Sequence, residues 1–299
     1  MHPVQAKSTR WWYLLATLAT LVALVAIRFL AVPVETNAAT WFVTLGALLD
    51  AFITALAAAL VLAVIYLLFL EPKPDALSTV DYRQIGRVLR EEVEGATEWS
   101  IRARTANYFC RETLPRLVDK SLADHSALRI RVLMLDPSDD ALLDQYVAFR
   151  GAEAHDGQPW SRARVRCDIH ASLLLIGVQA ARNPRLEIEV GFSSAFWTLS
   201  QDMSQKMILV TGQYKGDPAI RLGSDGVHYN SWRDDFDALM SIARRYVVTP
   251  AICGSVASAD ILSDLQALNS YWEEFGLTPV SSNEVGRIET LVKEGHHYR

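Results

Sequence analysis

The sequence predicts an α/β protein. A two-helix transmembrane hairpin comes first, then a mixed, largely parallel sheet domain, then a C-terminal helical segment. Three observations carry this. Trp41–Leu70 is apolar except for Asp50 and contains no proline, and Trp11–Val34 is a second apolar run behind Lys7 and Arg10. Beyond residue 75, strand-like runs alternate with stretches of helical period, the order that builds a sheet with crossover helices. The boundaries that follow are 1–75 for the hairpin (spans 11–34 and 41–70), 76–247 for the sheet domain and 248–299 for the tail.

Composition narrows the function. A net charge of −5 over 299 residues lacks the basic excess of a nucleic-acid binder, so no nucleic-acid partner is expected. Cys110, Cys167 and Cys253 are odd in number and widely spaced, with neither a CxxC pair nor a Cys/His ligand spacing. They read as buried free thiols of a reducing compartment, and no metal or cofactor is called for.

At a helical rise of about 1.5 Å per residue, Trp41–Leu70 is long enough to cross a hydrocarbon core of roughly 30 Å. Trp11, Trp12 and Tyr13 suit the headgroup level at the start of the first span. Pro33–Thr40 carries Glu35 but no lysine or arginine, whereas Lys73, Arg83, Arg87 and Arg90 follow the second span. By the positive-inside rule both termini are cytoplasmic and the loop faces outward, giving an integral protein of an inner membrane of bacterial type. A cleaved signal peptide is the competing reading of Met1–Val34, but the second span keeps residues 71–299 cytoplasmic either way. Arg28 and Asp50 fall at similar depth near the outer side. They form a salt bridge within one hairpin or between neighbours, or else Arg28 snorkels to the headgroups and Asp50 meets solvent or a protonated pocket. Ala47, Ala51, Ala55, Ala59 and Ala63 recur every fourth residue beside Gly46, Asp50, Thr54 and Ala58. That small-residue stripe suits close helix packing, hence a homo-oligomer held through the transmembrane helices, with pore lining as a further option.

Glu71-Pro72-Lys73-Pro74 ends the second helix. Tyr82–Glu94 is amphipathic, with Ile85, Val88, Leu89 and Val93 on one face. It lies on the inner leaflet or packs on the sheet that follows. Trp99–Ala106 alternates as a strand, Arg111–Leu122 is a helix, and Leu128–Leu135 a second strand parallel to the first. Asp136-Pro137-Ser138-Asp139-Asp140 then opens a helix over Ala141–Arg150. Asp136 either caps there or binds a ligand at the carboxyl end of the sheet. A polar loop, Ala152–Trp160, precedes a helix over Arg162–Ala181, with His170 on its surface or in its core. Leu186–Val190 and Lys206–Val210 read as strands, Arg233–Tyr246 as a helix, and Ser258–Glu274 and Asn283–Glu294 as two more.

Three stretches carry a family resemblance. They are Ile101–Leu117 with its Arg111-Glu112-Thr113-Leu114-Pro115, then Leu128–Pro137, then Leu186–Tyr246 with its hairpin and the helix start Trp232-Arg233-Asp234-Asp235-Phe236. Together they resemble the phospholipase D-like fold. The resemblance implies a His-x-Lys signature with an aspartate completing it. In that signature histidine attacks phosphorus, lysine holds phosphate oxygens and aspartate tunes the histidine. The matching window here is Ser204-Gln205-Lys206-Met207-Ile208-Leu209-Val210-Thr211, in which serine and threonine replace histidine and aspartate. No second His-x-Lys occurs in the chain. The resemblance thus implies a degenerate, non-hydrolytic domain whose Lys206, with Ser204 and Thr211, either meets a phosphate or is structural.

The candidate ligand residues are therefore Lys206, Ser204, Thr211, His228 and Asp136, with no catalytic set. His228 follows Asp225 in a glycine turn, where it is either surface or part of an acid–base cluster. Gly212–Gly216 and Gly223–Gly226 lack nucleotide-loop spacing, and His296 and His297 sit at the chain end. The expected function is a membrane-anchored, non-catalytic sensor or effector. Its cytoplasmic domain binds a nucleotide, another phosphate-bearing ligand or a protein and controls hairpin assembly, a layout resembling bacterial stress and antiphage systems. The alternatives are a membrane phosphodiesterase or phospholipase using His170 or His228, and a purely structural oligomerisation module.

Overall fold

Two apolar helices, α1 (Pro3–Ala31) and α2 (Thr40–Phe69), pack against each other in the first of two units, Met1–Lys73 and Pro74–Arg299. The computed structural model describes residues 3–31, 40–69, 77–151, 159–212, 214, 216–249 and 264–293. The expected outward loop, the proline break after the second span, Cys253, the start of the Ser258–Glu274 helix, His296 and His297 lie outside them.

The sequence predicts two spans; among the described residues one segment, Thr44–Leu62, is long and apolar enough to cross a membrane. In α1 the described apolar stretch is Ala16–Leu30, which contains Arg28. Val22, Phe29, Leu30, Leu48, Phe52 and Leu62 are all more than half exposed, a surface suited to hydrocarbon rather than water. Arg28 lies in the last turn of α1, where its guanidinium meets the Asp50 carboxylate with both ends of the fork. Nε donates to Oδ1 at 2.8 Å and Nη2 to Oδ2 at 3.1 Å.

The second unit is built on an eight-stranded sheet in the order β1-β7-β6-β5-β2-β3-β4-β8. The strands are β1 Leu77–Val80, β2 Glu98–Arg102, β3 Leu128–Leu135, β4 Leu186–Ser193, β5 Ser200–Ser204, β6 Met207–Thr211, β7 Ala219–Gly223 and β8 Arg244–Val248. Helix α3 (Ile85–Val93) lies between β1 and β2, and a single π-turn (Phe109–Thr113) runs into α4 (Leu114–Ala123) before β3. Helices α5 (Asp140–Arg150) and α6 (Arg162–Arg182) connect β3 to β4. Helix α7 is Val227–Ile242, and α8 (Leu265–Glu274) and α9 (Ser282–Lys293) close the described chain.

The sheet is mixed, as expected, but it is not largely parallel. Only β2–β3 and β3–β4 are parallel, each joined by helical crossovers; every other pairing is antiparallel. For the β5–β6 pair the cause is turn length. Two residues, Gln205 and Lys206, separate β5 from β6, and so short a link permits only an antiparallel partner. The helix expected over Arg233–Tyr246 is corrected as well. Helix α7 stops at Ile242, and the β-branched run after Tyr246 joins β4 with Tyr246 opposite Val190.

The core sits between β3 and β4 and the helices on one sheet face. Ile130, Val132, Met134, Ile188, Val190 and Phe192 meet Ile169, Leu173 and Ile176 of α6, all at most 1 % exposed. The C-terminal helices fall within this unit, and Tyr271 and Trp272 of α8, with Phe275 just after it, are fully buried in the same core. The Tyr271 hydroxyl donates to the Leu173 carbonyl at 2.7 Å, over Gly177, where a Cβ would stand 2.6 Å from that oxygen. Helix α7 covers the opposite face through Phe236 and Met240. Arg102 pairs with Asp235 and Arg131 with Asp237 at its edge. The apolar side of α3 buries Leu89 and Val93, so of its two sequence readings it takes the packed one.

Candidate functional site

The residues singled out in the sequence fall at opposite ends of the sheet. Strand β2 runs parallel to β3 and antiparallel to β5, with Trp99 opposite Ser204. Ser204 therefore lies at the amino end of the parallel strands, and Asp136, just past β3, at their carboxyl end.

The β5–β6 hairpin positions the first group. Ser204 Oγ accepts from the amides of Lys206 at 3.0 Å and Met207 at 3.2 Å, which pins the two-residue turn. The same hydroxyl donates to Glu92 Oε1 of α3 at 2.5 Å. The Ser204 carbonyl accepts from the Tyr229 hydroxyl at 2.6 Å. Every polar atom of the residue that stands in place of a nucleophile is thus engaged except its amide, which serves the strand. Two residues back on the same face, Asp202 accepts from Trp99 Nε1 at 3.3 Å. Burial pushes its carboxyl up to about 7, against a smaller lowering by the indole.

Lys206 is exposed at the hairpin tip, its ammonium against Gly95, where a Cβ would stand 2.9 Å away. Its carbonyl accepts from the Ser224 amide at 2.9 Å, so the turn before α7 is its neighbour. Gly226 caps that helix without a side-chain hydrogen bond, and exposed His228 sits in the first turn. The exposed cation and the open amino end of α7, reached through the Lys206 carbonyl, are two separate features that each suit an anion.

Thr211 does not join this corner. It ends β6 opposite Ser200, and at about 3.3 Å per residue it lies roughly 13 Å along the strand from Met207. Asp136 is also elsewhere. Its two oxygens accept from Arg244 Nη2 at 2.9 and 3.1 Å, and Oδ1 also accepts from the Ser138 amide at 2.9 Å. It fastens the start of β8 and the turn into α5, whose cap is Asp139. His170 is buried in α6. Nδ1 donates to the Arg166 carbonyl at 2.7 Å, and the ring meets Trp272 edge-on at 4.9 Å. Burial lowers its pKa. Buried Cys110 and Cys167 are free thiols, pushed up to about 12 and about 11 chiefly by burial.

Sequence reasoning missed Glu92, Trp99, Asp202 and Tyr229. For Glu92 a signal existed, since it follows Leu89 by three positions and so shares its buried face. Asp202 was hidden because β5 did not read as a strand. Ser204→Ala is expected to cost about 1–3 kcal/mol, because it strands the buried Glu92 carboxylate and frees two turn amides. Urea unfolding of wild type and variant checks this. No protein-family model and no curated protein matches this chain.

Proposed function

We propose that the chain is a membrane-anchored, non-catalytic sensor or effector with a phospholipase D-like cytoplasmic domain. The hairpin α1–α2 crosses the bilayer twice, keeps both termini on the cytoplasmic face and associates with copies of itself. The sheet domain reads a nucleotide or another phosphate-bearing ligand at the Lys206 corner and couples its occupancy to hairpin assembly. The two strand–helix crossovers, followed by an antiparallel hairpin carrying Ser204 to Thr211, support the phospholipase D-like reading.

One observation carries the non-catalytic part. The hydroxyl in the attacking position is spent on Glu92 and on two turn amides, while the Lys206 side chain beside it stays exposed at the hairpin tip. A serine so bound is held inside the turn, its proton directed at Glu92 and its oxygen lone pairs at two amides, so attack on a substrate would first have to break all three bonds. His228 lies in the turn next to Lys206, and that favours a phosphodiesterase as the second reading, with His228 rather than His170 in the active role. Full-length protein in nanodiscs is expected to bind a nucleotide or soluble phosphate ester, with Lys206→Ala weakening it about tenfold. Turnover of a phosphodiester that vanishes in His228→Ala would establish the enzyme instead. Absence of both binding and turnover would leave the oligomerisation module.

A further inference from the structure

A small open cleft lies between α3 and the π-turn that leads into α4. Its lining includes Gly86, Arg90, Tyr108, Glu112, Thr113 and Arg116. Gly86 opens the floor, since a Cβ there would stand 3.5 Å from the Tyr108 hydroxyl and 3.6 Å from Arg90 Nη1. The walls are set by unusual backbone. Ala106 is left-handed at φ 53°, and the widened turn Phe109–Thr113 follows at once. Such π-turns recur at functional positions. Both guanidiniums lie close enough to the Tyr108 phenol to favour its ionised form, although burial, then Glu112 and Asp202, push the phenol up overall. Arg116 meets Glu112 at 3.5 Å, while Arg90 has no ion pair among the described residues. Three charged groups thus leave an excess of one positive charge around a phenol and a buried threonine.

We infer that this cleft is a binding site for a single phosphoryl group, gripped by Arg90 and Arg116 across the Gly86 floor. Guanidinium forks match phosphate oxygens in number and plane. The cleft is small and open, so a phosphate ester would set its phosphoryl group at the mouth, against the two guanidiniums, with the rest of the ligand outside. Its source is either a lipid headgroup or a soluble ester. The lipid source rests on the membrane anchoring proposed above, whereas the site itself does not. An anchored domain meets headgroups at high effective concentration, because only a short stretch of chain separates α2 from β1.

The test is backbone hydrogen exchange on the full chain in nanodiscs of phosphatidylcholine, with or without phosphatidylglycerol. A third sample adds glycerol phosphate to the neutral discs. Exchange over Ile85–Val93 and Phe109–Arg116 is expected to slow about tenfold in one arm. Slowing with phosphatidylglycerol alone identifies a headgroup; slowing with glycerol phosphate identifies a soluble ester. The protection is lost in the Arg90→Gln, Arg116→Gln double variant. It is lost too in Gly86→Leu, which fills the cleft while favouring helix. Glu112→Gln strengthens it by removing a like charge, and the Arg83→Gln, Arg87→Gln double variant leaves it unchanged. No slowing in either arm overturns the site, as does equal loss in the Arg83, Arg87 variant, which would make the effect general surface charge. A chain that fails to enter nanodiscs sinks the membrane reading, and the glycerol phosphate arm run in detergent still decides the cleft.

Discussion

Asp202→Asn is expected to leave stability unchanged below about pH 4 and to raise it by roughly 4 kcal/mol at pH 7 and above. The Asp202 carboxyl is 7 % exposed, accepts one hydrogen bond from Trp99, and titrates near 7 because burial penalises its charge. In the unfolded chain it titrates near 3.8. Between those values the folded protein holds a proton that the unfolded chain has lost, so wild-type stability falls as pH rises from about 4 to about 7, then levels. Asparagine keeps an acceptor for the indole and carries no charge, so this part of the decline disappears. Asp168, also buried and pushed up to about 6, adds a smaller decline of the same sign to both proteins. Urea unfolding across pH 4 to 8 measures the difference. A constant gap between the two proteins would mean that Asp202 is charged throughout the range.

Arg28→Leu and Asp50→Leu are each expected to disrupt the hairpin, and the double variant to recover most of the loss. The two side chains make a bidentate pair at 2.8 and 3.1 Å between apolar helices. In the bilayer setting proposed above, removing either partner strands a charge in hydrocarbon, whereas removing both leaves two leucines that hydrocarbon accepts. Thermal unfolding of the four proteins in nanodiscs completes the double-mutant cycle. Additive losses would show that the charges act independently. The pair lies within one hairpin, so it favours holding α1 to α2 over bridging neighbouring copies.

What can be read from the sequence depends on how far each signal reaches along the chain. Leu128–Leu135 is delimited correctly because it alternates with Arg129 and Arg131 and then runs apolar to Leu135, a strand pattern once a helix precedes it. Helical rise places Arg28 and Asp50 at similar depth, but leaves open whether they pair or point apart, which the structure decides. Short strands at the rim are not legible. Leu77–Val80 leaves Leu77 half exposed and has only four residues, and β8 hides behind a helical period running through Ala243. The Ser-x-Lys spacing is visible, but which end of the sheet it occupies depends on β5, a strand the sequence disguises as loop with Gln201, Asp202 and Ser204. The separation of Thr211 from the Ser204–Lys206 turn is within reach, because four residues of straight strand from Met207 cover roughly 13 Å. Asp136 looks available in sequence because its partner, Arg244, lies 108 positions away and enters by β8.

Cysteine accessibility across a sealed membrane tests the two-span anchor most directly. Single cysteines are placed at Ser8, Asn37 and Asp225 of a chain otherwise free of accessible thiols, and an impermeant reagent is applied from each side. The anchor proposed above predicts that positions 8 and 225 label only from the cytoplasmic side and position 37 only from the other. Labelling of position 225 from the outer side, or of all three positions from one side, would contradict it.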